Sequence, residues 1–310
     1  MIITVTLNPS FDKTLEVLDF APGRTLKART LRRQPAGKGV NVSRCIAALG
    51  GQSIATGFLG DAEIAAYKRS FHGAAGRASV QFVSVPGDTR QNVTIRDPEH
   101  GTETHLREQG FTVGQADLYA LHRKLDELLK PGDVAVFAGS LPPGMHPEHL
   151  AELVRRCTAA GCRVAADTSG PALAHAVSAG VWLAKPNREE LQELVAEPVD
   201  SDDAIKHAAR RLLDRVEILL VTLGAHGAFC FARDAAWRGV VAVENVRNSV
   251  GAGDAFLAGF ILSHTRGLQP DACLCAAVAC GAASTQEQWA GEIDPRTVER
   301  LARSVHIEKL

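Results

Sequence analysis

The sequence predicts an α/β fold, with a mostly parallel central sheet flanked by helices on both faces and a small separate β-sheet. Three observations carry this. Short apolar runs of strand length alternate with segments of helical period. The strand runs are continuously apolar, as in a parallel sheet covered from both sides. Two polar, β-rich segments, residues 12–36 and 89–108, interrupt the alternation and lack helical period.

In chain order, strands are expected at 5–7, 53–58, 134–137, 164–166, 181–184 and 218–221. Helices are expected at 42–49, 116–129, 147–160 and 204–216, each with a charged outer face. Right-handed crossovers put the strand C-terminal ends on one edge, where ligands bind. The polar and Gly-rich turns follow these strands, at 139–144, 167–170, 185–187 and 222–227. Residues 91–96, 98–101 and 102–106 read as strand, turn and strand of a hairpin. A small sheet with one apolar face needs cover. It can act as a lid over a site, pair with another subunit, or both. With no repeats or linkers, residues 1–310 read as one domain carrying lid segments at about 12–36 and 89–108.

Composition sets limits on function. The 310 residues are 45% apolar and 22% charged, enough for a sizeable core. A net charge of −1 gives no reason to expect nucleic acid or an anionic membrane as partner. No apolar run approaches membrane-spanning length, and the first seven residues lack the flanks of a signal peptide. The seven cysteines form no C-x-x-C pair and mostly sit in apolar elements. They read as reduced thiols in a cytoplasm, with no zinc site.

The most informative stretch is 248–260, Asn-Ser-Val-Gly-Ala-Gly-Asp-Ala-Phe-Leu-Ala-Gly-Phe. A polar turn becomes an apolar, helix-periodic run at Gly251, Ala252, Gly253 and Asp254. The first turn of such a helix leaves N–H groups unpaired at the positive end of the helix dipole. Glycines let a phosphate approach those groups. A carboxylate there would be repelled by the phosphate, a cost that makes sense if Asp254 takes a proton from a hydroxyl attacking a phosphoryl group. The plainer alternative is a helix start with Asp favoured by the dipole. A second Gly-rich turn, at 36–44, is neither a Walker A loop nor a dinucleotide fingerprint. It offers backbone access, the cation Lys38 and the amide Asn41, suited to a polyol or sugar phosphate.

Together these motifs resemble the PfkB family of ribokinase-like carbohydrate kinases. The 36–44 turn is similar to the family's N-terminal signature and 248–260 to its C-terminal one. Residues 185–190 and 222–227 fall between them in the family's order, so the resemblance covers nearly the whole chain. It implies a ribokinase-like fold, ATP as co-substrate with Mg²⁺, and a β-sheet lid that forms a homodimer interface.

Residues 6–12, 36–39, 139–144 and 89–92 are similar to the branch of the family that phosphorylates sugar phosphates. Lys38 and 185–190 resemble most the members acting on fructose 1-phosphate. Residues 89–92 are closer to those acting on fructose 6-phosphate, and tagatose 6-phosphate is a further alternative. A phosphorylated acceptor needs cations, and Lys38 and Arg90 supply them. A non-catalytic sugar-phosphate sensor is the alternative of another class, opposed by the intact 251–254 turn.

The resemblance also implies roles. Asp254 is the base, and the N–H groups of Gly251, Ala252, Gly253 and Asp254 form an anion hole. Asp12, Asn41 and the Gly37 backbone bind sugar hydroxyls, while Lys38, Arg90 and Ser140 hold the existing phosphate. Asn187 and Glu190 match an N-x-x-E motif that organises water around Mg²⁺. The same spacing is also a helix capping box. Lys185 reaches the ATP phosphates, Thr222, Gly224 and Gly227 line the nucleotide cleft, and Gly281 and Ser284 fall in the adenine pocket.

Overall fold

A computed structural model describes residues 1–71 and 76–310. The chain begins with β1 (Ile2–Thr6), β2 (Ser10–Glu16), β3 (Arg29–Ala36) and α1 (Lys38–Ala48). There follow β4 (Ser53–Gly60), α2 (Ile64–Ser70), β5 (Ala78–Val80), β6 (Val83–Val85), β7 (Gln91–Asp97) and β8 (Thr102–Arg107). Next come α3 (Gln115–Leu128), β9 (Val134–Ala138), α4 (Pro147–Ala159), β10 (Arg163–Asp167), α5 (Gly170–Ser178) and β11 (Leu183–Ala184). The rest is α6 (Arg188–Val195), α7 (Asp202–Leu212), β12 (Ile218–Thr222), β13 (Ala228–Ala232), β14 (Ala235–Val240), α8 (Ala252–Thr265), α9 (Pro270–Ser284), α10 (Pro295–Ala302) and β15 (His306–Lys309).

The main sheet runs β15-β14-β13-β12-β11-β10-β9-β1-β4-β5, with β6 also paired to β4. From β12 to β5 neighbouring strands are parallel, as the continuous apolar runs require. Successive residues serve opposite faces. In β12, Leu219 and Val221 enter one core with α3–α7, while Ile218 and Leu220 enter the other with α8 and α9. Helix α8 packs between α1 and α9, which explains why it is apolar all round. Among the described residues no helix is long and apolar enough to cross a membrane.

The differences from expectation are local. Strand β11 is only two residues of the expected 181–184: Val181 and Trp182 are buried outside the ladder, and the Trp182 carbonyl accepts from both the Glu217 and Ile218 N–H groups. Helix α1 starts four positions before residue 42, directly after Gly37, and α7 stops at Leu212 instead of 216. The antiparallel edge β13-β14-β15 was not expected.

The small sheet has the order β3-β2-β7-β8. It is anchored by a third core of Phe11, Val40, Ala55, Leu59, Tyr67 and Phe71. Tyr67 is fully buried, and its hydroxyl lies 2.6 Å from the Ser10 carbonyl and 2.9 Å from that of Ala36. One side chain from α2 thus ties together the paired ends of β2 and β3. Tyr67→Phe is expected to cost about 1–3 kcal/mol, the penalty for leaving buried carbonyls short of a donor. Urea unfolding of the purified variant measures it, and an unchanged midpoint would discount the tie.

Candidate active site

The C-terminal edge of the parallel strands gathers the polar turns. Strand β1 leads to Asn8, β9 to Ser140, β10 ends in Asp167, β11 leads to Lys185 and Asn187, and β12 ends in Thr222. Opposite them stands the N-terminus of α8. Gly251 there has φ 86°, a left-handed conformation that suits glycine, and a Cβ on it would come within 3.0 Å of the Ala290 Cβ. The turn is so tight that the Ala252 and Asp254 N–H groups donate to the Ser249 and Gly251 carbonyls, at 3.2 and 3.1 Å. Among the described residues the Gly251 and Gly253 N–H groups have no such acceptor. Two donors of the expected four are therefore open to a ligand.

Asp254 is buried, and its Oδ2 accepts a hydrogen bond of 2.8 Å from the Asn41 amide. Burial and the nearby Asp167 carboxylate push its pKa up to about 7, against the opposing pull of Lys38, Asn41 and Lys185. Asp167 is the centre of the charge arrangement. Its Oδ1 accepts from Lys38 Nζ at 3.0 Å and lies 3.3 Å from Lys185 Nζ. Burial alone would raise its pKa, but the two ammonium groups hold it below the ordinary carboxylate range. The same carboxylate raises the pKa of Lys38. Lys185 is almost wholly buried, with its ammonium 3.4 Å from where a Gly253 side chain would begin. A side chain there would touch the ammonium at ordinary contact distance, so glycine leaves the most room for a ligand.

Glycines also set the position of Lys38. A Cβ on Gly37 would meet the Thr6 methyl at 2.7 Å, and one on Gly39 the Thr6 hydroxyl at 2.5 Å. Helix α1 therefore begins pressed against β1, aiming Lys38 and Asn41 at the sheet edge. Asn8 bridges the loops beside it. Its amide lies 3.5 Å from Ser140 Oγ and 3.3 Å from the Leu141 carbonyl, while Arg90 donates to the Asn8 carbonyl at 3.0 Å. Arg90 also reaches the Pro9 carbonyl at 3.3 Å.

Asp12 lies on the small sheet, where its Oδ1 accepts from Ser10 Oγ and the Asn92 amide, each at 3.0 Å. It lines a cavity of about 140 Å³ with Asn92, Arg107, Asn248 and Trp289. Buried polar atoms without a partner cluster around this edge: Asn8 Oδ1, Asn41 Oδ1, Asn92 Oδ1, Asp167 Oδ2 and Thr168 Oγ1. Buried polar groups are normally satisfied, so such a cluster marks where a polar ligand or water belongs.

On the other flank, Asn187 and Glu190 form a reciprocal cap. The Glu190 N–H donates to Asn187 Oδ1 at 2.7 Å and the Asn187 N–H to Glu190 Oε2 at 2.8 Å. Each side chain keeps a second polar atom outside the cap. Asn187 also bridges Thr222 in the sheet. Gly224 faces open space, while Gly227 is explained by packing, since a Cβ there would lie 2.1 Å from the Gly239 carbonyl. Gly281 packs on Ala252 and Phe256 at the start of α8, and Ser284 Oγ donates to its carbonyl at 2.9 Å. Asp167 was missed as a site residue, although an acid ending a parallel strand just before a Thr-Ser-Gly turn is a usable signal.

The model of the pfkB family carbohydrate kinases matches residues 5–296. The chain belongs to the pfkB family of carbohydrate kinases. This pfkB-family chain is 36% identical to the 1-phosphofructokinase of Rhodobacter capsulatus over 318 aligned positions, covering 100% of the chain and 98% of that relative. The structure of phosphofructokinase-2 from Escherichia coli superposes with a TM-score of 0.90 at 26% identity, covering 97% and 98% of the two chains. The ribokinase of Arabidopsis thaliana superposes with a TM-score of 0.77 at 19% identity, covering 97% and 98%, which shows the shared ribokinase-like fold. As a family member the chain is a phosphotransferase with an alcohol group as acceptor.

Proposed function

We propose that the chain transfers the γ-phosphoryl group of ATP to the 6-hydroxyl of fructose 1-phosphate, giving fructose 1,6-bisphosphate and ADP. The observation that carries it is the buried Asp254, with a pKa near neutrality, at a helix N-terminus flanked by Lys38 and Lys185. The acceptor is argued from the full-length similarity to the Rhodobacter capsulatus enzyme.

Asp254 takes the proton of the attacking hydroxyl through its carboxylate. The freed oxygen bonds to the γ-phosphorus while the bond to the β–γ bridging oxygen breaks and leaves with ADP. The open N–H groups of Gly251 and Gly253, with the Lys185 ammonium, face the charge carried by the moving group. Asn41 holds the base in position through its 2.8 Å bond. Lys38, Arg90 and Ser140 are assigned to the sugar's existing phosphate, and Asp12 to its hydroxyls. Thr222, Gly224, Gly281 and Ser284 are assigned to the nucleotide side, with Gly227 shaping the loop.

Mg²⁺ fits the donor set. Asp167 Oδ2 is buried and unpartnered, and Glu190 is close enough to raise the Lys38 pKa. Mg²⁺ is commonly held by one or two carboxylates together with water and substrate phosphates. When bound, it neutralises charge on the β- and γ-phosphates. Asp167, and Glu190 and Asn187 through water, are the residues that would hold it.

The exposed Leu106 and the open edges of β3 and β8 favour a homodimer through the small sheet. Light scattering checks this, a monomer at working concentration counting against it. All seven thiols are free and six are buried, in keeping with a reducing cytoplasm.

A panel of ketohexose phosphates in a coupled ADP-release assay tests the acceptor. Fructose 1-phosphate is expected to have the highest kcat/KM. A preference of tenfold or more for fructose 6-phosphate or tagatose 6-phosphate would overturn the acceptor and leave the kinase. The likeness of residues 89–92 to kinases acting on fructose 6-phosphate makes that sugar the second reading.

A further inference from the structure

A second cavity beside the small sheet lies away from the 251–254 turn and adjoins the Asp12 cavity, with which it shares Arg32, Gln34 and Ala290. It is a groove of about 950 Å³ between β3, the outer ends of α1 and α2, and the 290–295 segment. Five arginines line it: Arg32, Arg33, Arg44, Arg69 and Arg77. One acidic residue, Glu292, lines it too, and it is taken by an ion pair with Arg32. Among the described residues Arg33, Arg44, Arg69 and Arg77 have no carboxylate partner. A chain with net charge −1 thus concentrates, among the described residues, four guanidinium groups without an ion-pair partner in one concavity.

Arg44 makes the second, independent point. It lies on the helix that carries Lys38 and Asn41, yet its guanidinium stacks over the Phe71 ring at 5.5 Å from the centroid. Burial lowers its pKa, and the neighbouring Arg32 lowers it further. A guanidinium held among like charges is costly without an anion. Arg33 is likewise fixed over the Phe11 ring, at 4.1 Å. Arg32 lies over the Trp289 ring at 5.0 Å as well, so three of the five are held by aromatic rings before any ligand arrives, and of these Arg33 and Arg44 keep donor forks free of a carboxylate for phosphoryl oxygens. The volume suits a small molecule.

We propose that this groove is a binding site for a small polyphosphorylated anion, one carrying two or more phosphoryl groups, distinct from the catalytic turn at 251–254 and bordering the Asp12 cavity. Arg44 forms the inner contact, and the exposed Arg69 and Arg77 close on the ligand from the rim. A nucleoside triphosphate and a sugar bisphosphate share the required chemistry.

Calorimetric titration with sodium tripolyphosphate compares the wild-type protein with Arg69→Ala/Arg77→Ala. Both residues are exposed, so the double variant folds and keeps its kcat. The expected result is two binding phases in the wild type, one of which weakens by about tenfold or more in the variant. Arg44→Gln should remove the same phase. Repeating the comparison with ATP and with fructose 1,6-bisphosphate identifies the nucleotide or the sugar source by which ligand loses affinity. Superimposable tripolyphosphate isotherms for wild type and double variant would overturn the proposal. So would a loss seen only with a single-stranded oligonucleotide, which would make the groove an extended polyanion surface.

Discussion

Asp254→Asn is expected to lower kcat by about 10²–10⁴-fold, the range lost when a general base is removed, while ATP still binds. The amide keeps the size of the side chain but cannot take the proton. The wild-type pH profile should carry the same signature. With a pKa of about 7, Asp254 is half-protonated near neutrality. Activity should rise with pH through that point, and the variant's residual activity should lack the acidic limb. Stability follows the opposite sense. The folded-state pKa lies above the ordinary 3.8, so between about 4 and 7 the native protein binds more protons than the unfolded chain. Raising pH across that window weakens the fold, and Asp254→Asn removes that loss. Near-normal turnover of a stable variant would take Asp254 out of the mechanism.

Asp167→Asn is the second large effect, and it acts on stability and chemistry together. The variant strips Lys185 of its ion-pair partner in a site where the lysine side chain is 6% exposed. Breaking one side of a buried pair of this kind costs about 3–5 kcal/mol, to be read from the midpoint of chemical unfolding. The repulsion that Asp167 exerts on Asp254 also disappears, and both lysines then act on Asp254 alone. The acidic limb of the pH profile should therefore move to lower pH. A limb that stays in place would mean that Asp167 does not set the protonation of Asp254.

How far the sequence could be read depended on the range of the interaction. Short, doubly buried strands such as 134–137 and 218–221 were legible because each apolar run records its own two-sided burial. The C-terminal strand pair β13-β14 was not. Its Ala-Phe-Cys-Phe-Ala run is short and lies between β12 and β14, while the outer strand β14 takes its other partner, β15, from about seventy positions away in sequence. The 251–254 turn was legible because glycine, glycine and acid at a helix start answer to one local geometry. The strand end before Thr168, Ser169 and Gly170 marks Asp167 only as a residue at the ligand edge; its role as charge centre comes from Lys38 and Lys185, 129 positions before it and 18 after. The capping role and the metal-side role of Asn187 and Glu190 share one spacing, so the sequence alone offered both. The arginine groove was hidden for the same reason as the charge role of Asp167, its five cations being scattered from residue 32 to 77.

The hydrogen bond from Asn41 to Asp254 joins residues 213 positions apart. During synthesis, β1, β4 and α1 leave the ribosome well before α8, and chains of this size populate partly structured intermediates. The carboxylate that completes the chemistry emerges only after the more than two hundred residues that follow Asn41 have been made. Until then the glycine turn at α1 presents Lys38 and Asn41 to an incomplete cleft. Loop closure over such a distance is slow compared with local contacts. The nascent protein therefore passes through a long interval as a partly folded scaffold without catalytic competence, and ribosome-bound chains ending before residue 251 should turn over no substrate.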